Sequence, residues 1–164
     1  MNYIKRITHW CSLVIYALII LYAVLCLPAI IGYKPLVVLS GSMEPTFKTG
    51  SIIYYKSVLK EDLKSGDIVT YVLRNNFVSH RIVKINDNMM ITKGDANDEN
   101  DPTEVNMDRI VGRDLNFSIP LLGYYVQFIN NHLVLTTVLS IIILLSEFLF
   151  TNTEIFDIDF KRKE

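Results

Sequence analysis

The sequence is poor in cysteine, has no surplus of charge, and contains no internal repeat or low-complexity stretch. Two cysteines among 164 residues cannot build a disulfide framework, and Cys11 and Cys26 both lie in an apolar run where they read as small hydrophobes. A formal net charge of −1 lacks the basic excess of a nucleic-acid binder, so no nucleic-acid partner is expected. Only 20% of the residues are charged and 51% are hydrophobic, which excludes disordered and collagen-like chains. The length allows one domain of ordinary size.

The apolar residues are concentrated at the two ends. Residues 11–31, CSLVIYALIILYAVLCLPAII, contain no charge over 21 positions. At about 1.5 Å per residue such a helix crosses the roughly 30 Å hydrocarbon core of a bilayer. Lys5 and Arg6 precede it, His9 and Trp10 fall at the interface, and Pro28 kinks or ends the helix. A cleavable signal peptide shares this pattern, but its apolar region is usually shorter, about 7–15 residues. A second charge-free stretch runs from Leu115 to Ser146, most apolar over 133–145, with Glu147 at its end. A buried soluble helix is the alternative for this stretch. The expected organisation is a cytoplasmic N-terminus (1–10), a transmembrane helix (11–31), an extracytoplasmic β-rich domain (32–131), a second transmembrane helix (132–150) and a cytoplasmic basic tail (151–164). Basic residues near both termini, Lys5 and Arg6 at one end and Lys161, Arg162 and Lys163 at the other, place both ends in the cytoplasm.

Between the apolar ends, residues 32–131 hold 11 Lys and Arg against 12 Asp and Glu, the balance of a folded aqueous domain. No window there reads as an amphipathic helix. The runs SIIYYKSV (51–58), DIVTYVL (67–73), NFVSHRIVKI (76–85) and MMITK (89–93) are β-branched and aromatic, and turn residues bound them. Ser65-Gly66-Asp67 and Asn86-Asp87-Asn88 read as turns, the second closing a tight hairpin. The fold class is therefore mostly β, a compact antiparallel domain of about 100 residues flanked by two transmembrane helices.

Chemistry has few places to sit. The segment 37–51, VVLSGSMEPTFKTGS, puts Ser40 and Ser42 around Gly41, a geometry that allows backbone N–H groups to approach a substrate oxygen. Pro45 fixes the exit from the turn. An ordinary Ser/Gly/Pro loop would look the same. A serine nucleophile needs a base. His9 and His132 fall at the ends of the apolar spans, which leaves His80 as the histidine inside the aqueous domain. Alternation sets Phe77, Ser79, Arg81 and Val83 on one face, and Val78, His80, Ile82 and Lys84 on the other. His80 reads equally as a packed core residue. Lys48, Lys56, Lys84 or Lys93 could instead act as the base of a Ser-Lys pair. The acidic run 92–104, TKGDANDENDPTE, offers Asp95, Asp98, Glu99, Asp101 and Glu104, either to orient the histidine or as a solvated turn. A calcium loop of EF-hand type would need glycine where Asn100 stands, and no metal or cofactor is expected. Asn116-Phe117-Ser118 matches a glycosylation sequon.

Taken together, LSGSMEPT, GDIVTY, SHRIVKI and TKGDAND resemble, in order and spacing, the conserved boxes of type I signal peptidases. The resemblance covers roughly residues 12–115 and is to the branch found in the endoplasmic reticulum, in archaea and in some Gram-positive bacteria. It implies a β-rich catalytic domain, in agreement with the strand pattern. It makes Ser42 the nucleophile and Ser40 an aid to the oxyanion hole beside the Ser42 amide. The typical bacterial branch has a lysine base where this chain has His80. Asp101 is favoured as the histidine's partner, with Asp95 as a supporting carboxylate and Asp98 a third choice. The implied activity is membrane-bound serine endopeptidase cleavage of signal peptides. Its partners would be secretory preproteins with small residues at −3 and −1, the lipid bilayer and the secretion translocase. The rival from another class is a non-catalytic, membrane-anchored β module that serves as a scaffold in a secretion complex.

Overall fold

The structure is a computed structural model that describes residues 2–161. The chain divides into two compact units, a helical one built from its two ends and a sheet domain, Leu25–Phe128.

Helix α1 (Asn2–Cys26) gives way at Pro28 to a 3-10 turn, Leu27–Ile31, capped by Gly32 at φ 90°. Proline lacks the amide that would continue the helix, and glycine supplies the left-handed residue that ends it. The segment Lys5–Ile31 is long and apolar enough to cross a membrane. The C-terminal apolar stretch is broken at His132 into α2 (Leu122–Asn131) and α3 (Leu133–Lys161), which pass the same test only as a bent pair. Helix α3 runs on beyond position 150, through residues expected as a tail, and Arg162 and Lys163 of that basic tail lie outside the described residues. His9 Nδ1 and Glu147 Oε1 are 2.9 Å apart, while the Tyr22 hydroxyl donates to Asn130 at 3.2 Å. The first contact joins α1 to α3 and the second joins α1 to the end of α2.

The sheet domain has seven strands: β1 (Tyr33–Val37), β2 (Ile52–Lys56), β3 (Ile68–Leu73), β4 (Asn76–Asn86), β5 (Met89–Lys93), β6 (Val105–Asn106) and β7 (Ile110–Ile119). Their order is β1-β2-β7-β3-β4-β5-β6, and every pair is antiparallel. Four of the strands follow the β-branched runs closely. Arg74 and Asn75, both at positive φ (48° and 65°), form the two-residue turn between β3 and β4. The simple alternation along β4 holds to Ile82 and then slips, because the register shifts between Ile82 and Lys84. Ile82 and Ile85, three apart, therefore both pack in the core while Lys84 is exposed.

Two clusters carry the packing. Leu63, Val69, Tyr71, Ile82, Met90, Val105 and Met107 form one, and Met43, Phe47, Ile53 and Ile68 form the other. A polar line crosses the sheet between them. The fully buried Thr70 hydroxyl of β3 bonds both oxygens of the Asp114 carboxyl of β7, at 3.0 and 2.8 Å, and the Ser79 hydroxyl of β4 at 2.7 Å. Burial lifts the Asp114 carboxyl from 3.8 to about 7, against the smaller opposing effect of the Thr70 hydrogen bond.

Between about pH 4 and about pH 7 folded Asp114 retains a proton that the unfolded chain has lost, so its stabilisation is present in acid and is lost as pH rises. Asp114→Asn should flatten this decline. In urea titrations of the detergent-solubilised chain, the variant's midpoint should rise relative to wild type at pH 8 and change little at pH 4.

Candidate active site

Ser42 lies on the loop between β1 and β2, and that loop is anchored from beneath. Met43 is 3% exposed and Phe47 fully buried, so the residues after Ser42 are held by the second core cluster. The Glu44 carboxylate accepts from the Thr49 amide and hydroxyl, both at 3.3 Å, and closes the loop on itself. A second support comes from the turn after β5. The Ala96 amide donates to the Ser42 carbonyl at 2.9 Å. A Cβ on Gly94 would stand 2.5 Å from that carbonyl oxygen and 3.1 Å from Ser42 Cβ, so only glycine allows this approach.

His80 is presented by β4, opposite Val69 of β3, with its imidazole 11% exposed. Its Nε2 is 3.1 Å from Ser42 Oγ and its Nδ1 is 2.6 Å from Asp101 Oδ2. The same Oδ2 accepts from the Thr92 hydroxyl at 2.6 Å and from the Tyr71 hydroxyl at 3.4 Å. An oxygen that accepts from two hydroxyls is an acceptor for the ring as well, so Nδ1 carries the proton. In that tautomer Nε2 is bare and faces the Ser42 hydroxyl. Burial pushes the Tyr71 phenol up to about 12, so it stays a neutral donor through the physiological range. Asp101 itself is located by its own backbone, whose amide donates to the Thr92 carbonyl at 2.8 Å.

The structure thus brings Ser42, His80 and Asp101 into one hydrogen-bonded line and sets Asp95 apart from it. Asp95 forms a two-pronged pair with Arg81, Nε to Oδ1 at 2.8 Å and Nη2 to Oδ2 at 2.7 Å, and accepts from the Thr46 hydroxyl at 2.5 Å. The Arg81 hydrogen bonds are the main reason its carboxyl lies below the usual carboxylate range. The Arg81–Asp95–Thr46 bridge ties β4 to the turn after β5 and to the Ser42 loop. Ser40 lies with its hydroxyl 3.4 Å from Ser42 Oγ. Asp98, Glu99 and Glu104 are exposed, and among the described residues no three His, Cys, Asp or Glu side chains converge as a metal-ligand set.

A cavity of about 560 Å³ opens beside the line. Ser40, Ser42 and His80 share it with Leu36, Val38 and Ser79. No lysine lines it. Lys84 is exposed, and the Lys93 ammonium donates to the Asp98 carbonyl at 3.2 Å. Tyr71 and Thr92, which hold Asp101, were not among the residues singled out from the sequence. Their signal was alternation alone: both are inward positions of strands flanking His80.

No protein-family model matches the chain. Among curated proteins, signal peptidase I W of Bacillus subtilis is 35% identical over 130 residues, covering 71% of this chain and 68% of that protein. The human signal peptidase complex catalytic subunit SEC11C is 35% identical over 72 residues, 40% of this chain and 38% of the subunit. SEC11 of Scheffersomyces stipitis is 40% identical over 73 residues, 40% of this chain and 43% of that protein.

The Asp95 carboxyl, held below its ordinary range by Arg81, stabilises the fold above that range, and this contribution is lost as pH falls through its lowered pKa. Asp95→Asn should therefore lower the thermal midpoint at pH 7 and leave it nearly unchanged in strong acid. Melting curves followed by circular dichroism at the two pH values measure the difference.

Proposed function

The chain belongs to the type I signal peptidase family, and on that footing we propose that Ser42 is its nucleophile, His80 its general base and Asp101 the carboxylate that orients the base. As a member of that family it is a serine endopeptidase that removes signal peptides. The observation that supports these assignments is the continuous line of hydrogen bonds from Ser42 through His80 to Asp101, open to one cavity.

Each residue's part follows from its surroundings. Nε2 of neutral His80 takes the Ser42 proton as Oγ attacks the scissile carbonyl carbon. The imidazolium so formed is stabilised by Asp101, whose position is held by Thr92 and Tyr71 and so needs no rearrangement during the reaction. The Ser42 amide and the Ser40 hydroxyl hold the developing oxyanion, where one donor typically contributes about 3–4 kcal/mol. His80 then protonates the leaving amine, and a water activated by the same nitrogen hydrolyses the acyl-enzyme. Asp95 supports the site indirectly through Arg81 and Thr46.

The cavity is lined by Leu36, Val38, Phe47 and Ile53 beside the serines, which suits small apolar side chains at the −3 and −1 positions of a preprotein. The membrane arrangement that fits this activity has two spans, both termini cytoplasmic, and the sheet domain on the extracytoplasmic or lumenal side, beside the secretion translocase. Ser42 follows the first apolar segment closely in the chain, so enzyme and substrate meet on one surface, with the entropy of encounter largely met in advance.

Processing of a secretory precursor by the membrane-embedded chain tests the assignments. Ser42→Ala and His80→Ala should each reduce the rate constant by about 10³–10⁴-fold or more, and Asp101→Asn by a comparable factor. His80→Lys should not restore activity, since the Asp101 cradle is built for a ring nitrogen. Gly94→Ala should cost at least about tenfold in kcat by displacing the Ser42 backbone. Undiminished cleavage by Ser42→Ala or His80→Ala would refute the mechanism.

A further inference from the structure

Asp114 is a buried acid that the hydrolytic mechanism does not use. It is 6% exposed, on β7, and among the described residues its side chain is hydrogen-bonded by one group, the Thr70 hydroxyl. Thr70 is itself fully buried and touches Ser79, 2.7 Å away. Ser79 precedes His80 in β4 and lines the same cavity as Ser42. Three side chains thus connect an interior carboxyl to the wall of the substrate groove.

Proton counting gives this chain two states. Thr70 has one hydroxyl proton. When Asp114 is ionised, that proton points to the carboxylate, so the Thr70 oxygen must accept from Ser79. The Ser79 proton is then used internally, and only its lone pairs face the groove. When Asp114 is protonated, its own O–H donates to Thr70, Thr70 donates to Ser79, and Ser79 is free to donate into the groove. One proton on Asp114 reverses the polarity of the whole line. We propose that Asp114 acts through Thr70 as a positioning residue that sets whether Ser79 accepts from, or donates to, the peptide bound in the groove, so that substrate binding responds to protonation.

This inference rests on the reading of the cavity as the preprotein groove. The carboxyl lies at about 7, where both states are populated near neutral pH. The titratable and charged groups around it do not mask the effect. Tyr55 of β2, directly across in the register, has its phenol raised above its usual range by burial and then by Asp114, and stays neutral. Arg81, on the Ser79 face of β4, is held by Asp95. Arg113, the neighbour of Asp114 on β7, lies 3.5 Å from Asp67. On β3 its hydrogen-bonding partner is the neutral Thr70.

The test is a pH series of kcat and KM, from about pH 5.5 to 8.5, for full-length enzyme cleaving a secretory precursor peptide. Wild type should show a KM that changes by about two- to tenfold, the worth of one neutral hydrogen bond, with an inflection near 7. Asp114→Asn, whose side chain cannot titrate, and Ser79→Ala, which removes the groove end of the line, should each make KM flat while the kcat profile keeps its shape. Infrared difference spectra of the enzyme without substrate should show a protonated-carboxyl band that disappears near neutral pH and is missing in Asp114→Asn. A KM inflection that persists in both variants, or a carboxyl band that does not titrate, overturns the proposal. Ser42→Ala is assayed in parallel: if it cleaves, the active-site reading itself fails. If it is inactive while Asp114→Asn keeps the wild-type KM profile, the relay alone fails.

Discussion

A single carboxylate oxygen, Asp101 Oδ2, organises the reacting end of this molecule. It accepts from His80, Thr92 and Tyr71, which come from three adjacent strands, so its position is as rigid as the sheet. A half-buried carboxylate is costly without donors, and three donors offset that cost. The same demand decides the state of the histidine. With the acceptor on its Nδ1 side, the neutral ring is the tautomer that is bare at Nε2, beside the serine. The Tyr71 ring stands edge-on to the imidazole, centroids 6.5 Å apart, and helps to cover this line.

The serine reaches the histidine by a different route. Its loop has no regular secondary structure, and its place is set by buried anchors and by cross-links to the neighbouring turn. Phe47 and Met43 fix the loop from below, while Thr46, Asp95 and Arg81 fix it from the side. Gly94 lets the two backbones meet at a distance no side chain would allow. Nucleophile and base therefore sit on different elements, a loop and β4, and their side chains meet at 3.1 Å. Such a junction keeps the serine reactive, because neither side chain is consumed in holding the fold together.

In the helical unit, polar side chains join the two ends of the chain, at His9–Glu147 and Tyr22–Asn130. Glu147, which in the sequence looks like an imperfection at the end of an apolar run, is half of the bond that joins α3 to α1. The break at His132 has a local counterpart in sequence, Asn130-Asn131-His132, where helix propensity is weak.

Elements whose pattern is local were legible along the chain. Apolar length set α1, β-branched alternation set β2, β3, β4 and β5, and Pro28 with Gly32 set where the first helix stops. The order of four short motifs was enough to identify the family and to nominate Ser42, His80 and Asp101. Strands β1, β6 and β7 were not legible. β1 is an edge strand carrying Pro35, and β6 is two residues long. β7 carries a charged residue, Asp114, at a buried position and runs straight into the apolar stretch that follows, so no period marks it. Its place at the centre of the sheet depends on pairing with β2 and β3, far away in the chain. The preference for Asp101 over Asp95 came from the family resemblance and had no local basis, for the same reason. The two lie in one acidic loop with the same local chemistry, and only the folded sheet, by bringing Arg81 to one and His80 to the other, gives them different environments. Periodicity reports a residue's own strand or helix. Which charge stands opposite it is a property of strand order, and strand order exists only in the tertiary structure.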